Sequence, residues 1–206
     1  IYSESDMADS NVPKRPGTMA GDIKIWDANG DGEINSLDRI RQDLTDIPQI
    51  VYGVNLGITW KQFDLSLLFQ GQAKVINTIQ ETWVDPSSGG AGNLMQWWTE
   101  DMWTPENTDG TKPRLGTPNK INGTTFTNIN AAFFKLKNAE IGYTLPVAVR
   151  EKIGVANARV YLSGTNLFSF DHMRGMGIDP EATGSGYGGW ALNPQRLINL
   201  GVNVSF

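Results

Sequence analysis

Apolar and polar side chains alternate strictly along several stretches of this 206-residue chain. In YGVNLGITW, residues 52–60, the even-numbered positions are apolar or aromatic, and Gly, Asn or Thr occupies the odd-numbered ones. A period of two places successive side chains on opposite faces of an extended chain, so this stretch predicts a β-strand with one apolar and one polar face. The stretches FDLSLLFQ at 63–70 and RLINLGVNVSF at 196–206 repeat the pattern.

Two further stretches, at residues 132–146 and 157–170, predict strands with a less regular alternation and bring the total to five. The connections alternate in length: a short turn around Lys61 and a short link at 146–156 are interleaved with long segments at 71–130 and 171–194. Within the connections, we predict two short helices, one within residues 94–103 and one after Pro146. Short turns alternating with long loops are typical of antiparallel outer-membrane barrels.

The aromatic residues also favour a membrane barrel. The chain has seven Trp, five Tyr, eight Phe and 23 Gly, a composition suited to turn-rich sheets. Tyr52 and Trp60 lie on one face, eight residues apart, which is about 26 Å along a strand. A tilt of about 40° reduces this to about 20 Å across a bilayer, close to the roughly 25 Å apolar band between the aromatic girdles of such barrels. A soluble β-sandwich also alternates its side chains and is the alternative.

The run DANGDGEINSLD at residues 27–38 has the ligand spacing of an EF-hand calcium loop, with Gly32 at the sixth position where the chain turns sharply. The predicted ligands are Asp27, Asn29, Asp31, Glu33 through its backbone carbonyl, and Asp38. Oxygen ligands suit Ca²⁺ better than Zn²⁺ or copper. The sequence therefore predicts a structural Ca²⁺, held with modest affinity because Asp38 replaces the longer Glu usual at the twelfth position. The alternative is a solvated acidic turn without an ion.

Four tryptophans fall in the long connection at 71–130, at positions 83, 97, 98 and 103. Exposed indoles stack on sugar rings or contact partner proteins, so Trp97, Trp98 and Trp103 are candidate ligand or partner contacts. The alternative is a small local core, because a connection of this length without internal packing is unusual.

Several classes of site and partner are disfavoured. The net charge of −5 disfavours nucleic acid as a partner. There is no cysteine for thiolate metal sites or disulfides, and His172 is the sole histidine. GSGYGG at 184–189 lacks the Lys-Ser/Thr ending of a phosphate loop. No catalytic constellation is recognisable, and we expect that the chain is not an enzyme.

Six segments, in this order, resemble the C-terminal end of SusC/RagA-type TonB-dependent transporters, which are outer-membrane nutrient importers of the Bacteroidota. The resemblance covers roughly residues 16–206. The segments are PGTMAGDIKIWDANGDGEINSLDR (16–39), FDLSLLFQGQ (63–72), FFKLKNAEIGYTLP (133–146), ARVYLSGTNLFSF (158–170), GIDPE (177–181) and NPQRLINLGVNVSF (193–206). The terminal Phe206 after an alternating strand also resembles the signal read by the barrel-assembly machinery.

The resemblance implies an all-β fold: the C-terminal strands of a large transmembrane antiparallel β-barrel with long extracellular loops. Residues 1–49 are expected to form an extracellular loop with the EF-hand-like segment, and residues 50–206 the last five strands. The plug domain and the N-terminal strands, through which TonB would act, are expected outside this sequence, because the chain begins at Ile1 without a visible signal peptide.

The implied function is import of glycan oligosaccharides, or of peptides, across the outer membrane of a Gram-negative bacterium. The implied partners are a SusD-like lipoprotein, TonB and outer-membrane lipid. A rival function from another class is a secreted carbohydrate-binding module, a β-sandwich stabilised by Ca²⁺.

Overall fold

The computed structural model describes residues 1–79, 84, 94–116, 123–181 and 193–206. Within these residues the chain forms seven strands and three α-helices. The strands are β1 (Ile50–Trp60), β2 (Phe63–Ala73), β3 (Ile76–Thr78), β4 (Asn128–Asn130), β5 (Phe133–Thr144), β6 (Asn157–Asp171) and β7 (Leu197–Ser205). The helices are α1 (Glu4–Ala8), α2 (Gln96–Thr99) and α3 (Val147–Ile153).

The five long strands form one antiparallel sheet in the order β1-β2-β5-β6-β7. These are the five strands that the alternating stretches predict, each extended or trimmed by a few residues. Each strand pairs with the next long strand along the chain, so the sheet is an up-and-down meander. The short elements β3 and β4 pair separately as a two-stranded sheet.

Local sequence explains the two tight connections. Lys61 adopts a left-handed conformation with φ of 54° in the two-residue turn between β1 and β2. Helix α3 begins directly after Pro146, whose fixed φ suits a helix start, and ends at Ile153, where the cap residue Gly154 has φ of 71°. The helical turns predicted after Pro146 and the short helix predicted within 94–103 are both confirmed, the second as α2.

The two faces of the five-stranded sheet differ in chemistry. The register aligns Ile58, Leu65 and Ile141 on one face, together with Leu162 and Leu200. The apolar side chains of the edge strand β7 are exposed, and Leu200 reaches 76% exposure. In a soluble sandwich this face would be covered by a second sheet, so its exposure favours the barrel over the sandwich alternative.

Contacts divide the chain into two units. Among the described residues, one unit comprises Ile1–Asp46 and those within 77–129, and the other comprises Ile47–Ile76 and those within 130–181 and 193–206. The first unit has a small core of its own. Tyr2 is 1% exposed, and its backbone N–H donates to the carbonyl of Asp22 while its hydroxyl donates to the carbonyl of Pro13.

Among the residues that the structure describes, no helix combines the length and the apolar character needed to cross a membrane.

Candidate functional site

The acidic loop at 27–38 folds around its own carboxylates. The two side-chain oxygens of Asp27 accept hydrogen bonds from the backbone N–H groups of Gly30 (2.7 Å) and Gly32 (2.8 Å). Asp31 accepts from the backbone N–H of Glu33 and from the side-chain amide of Asn29. Gly30 and Gly32 have φ of 77° and 84°, the left-handed region that favours glycine.

Asp38 closes the loop. One of its oxygens accepts the N–H of Ala28 at 3.0 Å and the other the N–H of Asn35 at 2.7 Å, so the first and last parts of the run are tied together. The hydrogen bond from Asn35, opposed in part by burial and assisted by those from Ala28 and Asn29, lowers the pKa of Asp38 below its ordinary value. Asp38 is therefore ionised at neutral pH, as a cation ligand must be.

The structure brings Asp27, Asn29, Asp31 and Asp38 into one hydrogen-bonded loop, and Glu33, predicted to act through its backbone carbonyl, joins it through its N–H. Within the described part of the chain, no group of three or more His, Cys, Asp or Glu side chains is arranged to hold a metal ion. The carboxylate oxygens of the loop face backbone N–H groups. Each such oxygen has further lone pairs, so the ligand chemistry suits Ca²⁺ although the side chains are not gathered around one point. The calcium site stays a prediction.

The described tryptophans of the long connection differ in exposure. Trp98 is 3% exposed and packs edge-on against Trp97 (ring centroids 5.5 Å apart) and Phe126 (5.7 Å). The ring of Trp103 lies against Gly21, where an added Cβ would collide with it. This packing fits the local-core alternative for Trp98. Trp97 and Trp103 are half-buried, and their contact with a ligand or partner stays a prediction. Trp83 and the stretch 184–189 lie outside the described residues.

The apolar face of the sheet carries aromatic rows at both ends of its strands. At the end of the short connections, Trp60, Phe63 and Tyr143 follow one another across β1, β2 and β5, with the Phe63 and Tyr143 rings 4.8 Å apart. At the opposite end the register aligns Tyr52 with Phe134 and Phe170. Phe69 and Phe168 lie one step inside this second row, and from there to the first row the face is aliphatic.

The polar face carries an ion cluster near the short connections. Arg159 on β6 contacts Asp64 on β2 and Glu140 on β5, the latter at 2.7 Å. The guanidinium lies across Gly142, where an added Cβ would collide with it. Glycine at this position lets one arginine bridge three strands.

A second ion cluster lies toward the other end of the polar face. Lys135 on β5 is 3% exposed and contacts Asp179 (2.5 Å) and Glu181 (2.8 Å). Lys137 contacts Glu181 at 2.8 Å. Burial alone would raise the pKa of Glu181, but the hydrogen bonds from both lysines outweigh it, and the pKa lies below its ordinary value.

Sequence reasoning missed both ion clusters, because the oppositely charged residues in contact are between 19 and 95 positions apart in the chain. One feature of the sequence could have indicated the first cluster. Asp64, Glu140 and Arg159 stand at polar-face positions inside strands, where a charge needs a partner or water.

Comparisons with known proteins place this geometry in a family. No family model matches the chain. TonB-dependent receptor P3 of Formosa agariphila is 30% identical over 220 residues, which cover 95% of this chain and 20% of that protein. TonB-dependent receptor P26 of the same organism is 30% identical over 202 residues, which cover 91% and 20%.

Solved structures lead to the same family. The RagAB peptide transporter is 26% identical with a TM-score of 0.66, and the match covers 85% of this chain and 19% of that chain. The RagAB peptide importer in an open-open state gives 26% identity and a TM-score of 0.63, again over 85% and 19%. These relatives are receptors and transporters, in agreement with the prediction that the chain is not an enzyme.

The chain spans about a fifth of the length of the curated relatives that it matches. The five long antiparallel strands, the two aromatic rows and the described relatives all point to one architecture, a large transmembrane β-barrel. The chain belongs to the SusC/RagA-type TonB-dependent transporters, as a segment that supplies part of the barrel.

Proposed function

We propose that the chain is part of the barrel wall of an outer-membrane importer that takes up an oligomeric nutrient with energy delivered through TonB. In this proposal the apolar face of the sheet contacts lipid and the polar face lines the lumen. The observation that carries it is the pair of aromatic rows with an exposed aliphatic band between them, the pattern expected of a strand set that crosses a bilayer.

The cargo is a glycan oligosaccharide or a peptide. The polar faces of β1 and β7 support an uncharged cargo, since they present only Asn, Gly, Thr and Ser between residues 53–59 and 199–205. The likeness to a peptide importer supports a peptide. We include a SusD-like lipoprotein as the partner that delivers cargo to the extracellular mouth, on the strength of the same resemblance.

The test uses the full-length protein in its own outer membrane. Cells with and without the gene are offered fluorescent glucose oligomers and alanine oligomers, and uptake is measured with and without a functional TonB system. We expect gene- and TonB-dependent uptake of one series, and a lipoprotein that purifies with the detergent-solubilised protein. A protein that stays monomeric in buffer without detergent would overturn the proposal and favour the secreted binding module.

A second proposal concerns the loop at 27–38, which we assign a structural Ca²⁺. Asp38 supports it, because this residue ties together the two ends of the twelve-residue loop and is ionised at neutral pH. With Asp at the twelfth position we expect a dissociation constant of about 10⁻⁴–10⁻³ M, the range of extracellular modules. The ion would stabilise the loop and take no part in chemistry.

Calorimetric titration of the full-length protein with calcium tests the site. Asp31→Ala removes a predicted ligand, while Asp46→Ala removes an acid outside the loop and serves as the matched control. We expect the binding heat to disappear only in Asp31→Ala. Equal heats in the native protein and Asp31→Ala would count against the site.

A further inference from the structure

The segment at residues 177–181, GIDPE, is fastened to the polar face of the sheet. Its two carboxylates, Asp179 and Glu181, contact the ammonium groups of Lys135 and Lys137 on β5. We refer to residues 177–181 as the strap. Two acids paired with two bases leave this contact without net charge.

Neutral hydrogen bonds hold the strap as well. The side-chain amide of Gln72 on β2 donates to the carbonyl of Ala131 (3.0 Å) and to that of Pro180 (3.4 Å). Asn193 donates to the carbonyl of Gly177 (2.8 Å), and its side-chain oxygen accepts the N–H of Asp179 (3.0 Å). The strap is thus joined to β2 and β5 and to the residues that lead into β7.

The register fixes the side of the sheet on which the strap lies. Gln72 pairs with Phe133, and Lys135 with Gln70 and Ser169. These positions share the polar face, opposite the face that carries Tyr52 and Phe134. They lie near the start of β5, at the end of the sheet away from the short turn at Lys61.

The burial of Lys135 favours a well-held contact. At 3% exposure its ammonium group depends on the carboxylates of Asp179 and Glu181 for compensation of its charge as long as the strap lies over it. Met173 is fully buried and lines the same cavity as Pro180. Lifting the strap would expose it.

We propose that the strap narrows the entrance to the lumen from inside the barrel wall, and that Lys135 and Lys137 act as positioning residues that keep it there. This inference rests on the proposed function, in which the polar face lines the lumen. Cargo that enters by the end of the long connections passes Asp179 and Glu181, so the fastened strap sets an upper limit on cargo size.

The first experiment measures the fastening and is independent of transport. The full-length protein carries Met173→Cys as a reporter, alone and combined with Lys135→Met/Lys137→Met, which removes both ammonium groups while keeping side-chain length. Lys61→Met/Lys152→Met, at two exposed positions, is the matched control. We expect Lys135→Met/Lys137→Met, the release variant, to let Met173→Cys react with a membrane-impermeant maleimide about tenfold faster or more, and the control to react at the rate of Met173→Cys alone. Equal rates in all three would overturn the fastening.

The second experiment measures cargo size. Uptake of short and long members of the imported oligomer series is compared in cells with the native protein, the release variant and the control. We expect the ratio of long to short cargo uptake to rise in the release variant alone. An unchanged ratio would overturn the narrowing role even where the maleimide result supports the fastening. If the native protein imports neither series, the proposed function fails, while the labelling experiment still decides whether the strap is fastened.

Discussion

The two units of this chain differ in the solvent exposure of their apolar side chains. The unit that contains the acidic loop has small local cores, in which Tyr2 is 1% and Trp98 is 3% exposed. The sheet exposes its aliphatic and aromatic side chains on one face and places its ion clusters on the other. The first arrangement suits water outside and a small dry core inside. The second suits an apolar solvent against one face and water against the other.

The largest effect is expected in the core of the unit that contains the acidic loop. Trp98→Ala should cost about 3–5 kcal/mol of local stability, because it removes a buried ring that packs on Phe126 and leaves a cavity. Hydrogen exchange of peptides within 94–116, in the full-length protein, measures the loss. Trp26→Ala is the control, since this ring is 69% exposed. Equal effects of the two substitutions would mean that Trp98 is not part of a local core.

A somewhat smaller effect separates the two faces of β7. Ile198→Arg should destabilise the membrane-inserted barrel by about 2–4 kcal/mol, because the register aligns Ile198 with Leu56, midway between the aromatic rows, where a charge lies deepest in the apolar band. Asn199→Arg, one residue later on the polar face, should be tolerated. The midpoint of urea unfolding in lipid vesicles compares them. If both arginines are tolerated alike, the exposed aliphatic face does not contact lipid.

Close packing on the polar face gives a third prediction. Tyr161 on β6 pairs with Gly201 on β7, and an added Cβ there would collide with the tyrosine ring. We expect Gly201→Ala to cost about 1–3 kcal/mol through overpacking. Asn203→Ala, on the same face of the same strand, is the control, and urea unfolding again measures both. A neutral Gly201→Ala would show that the ring moves aside freely.

The long strands were predictable because alternation is a local property. In β1 and β7 every second residue is apolar, and the prediction of strands there is confirmed with small changes of boundary. The less regular alternation in β5 has a structural cause. The register with β2 shifts between Leu68 and Phe69, and the extra residue on β5 puts charged and apolar side chains out of phase.

The ion clusters were not predictable from local pattern. Lys135 meets Asp179 only because β5 and the segment after β6 are brought together by the sheet, 44 residues apart in sequence. The carboxylate pattern of the loop at 27–38, in contrast, was recognisable in the sequence, because all the residues that its side chains contact lie within the same twelve positions. The hydrogen bonds between these carboxylates and backbone N–H groups were not predicted. The spacing gives the sequence positions of the ligands and not the orientation of their side chains.

The smallest expected effect is the response of the acidic loop to pH, which tests whether this region is held by charge. The pKa of Asp38 is lowered in the folded loop, so its contribution to stability is present in full above its unfolded pKa of about 3.9 and is lost as the pH falls through the lower folded value. Hydrogen exchange of the Ala28 and Asn35 amides, corrected for intrinsic rates, should therefore stay slow from pH 7 down to about pH 4 and quicken only below. In Asp38→Asn one side-chain oxygen remains to accept both amides, so exchange should be faster at every pH and the acid step should vanish. If the increase in exchange at acid pH persists in Asp38→Asn, another carboxylate causes it, and Asp38 does not close the loop.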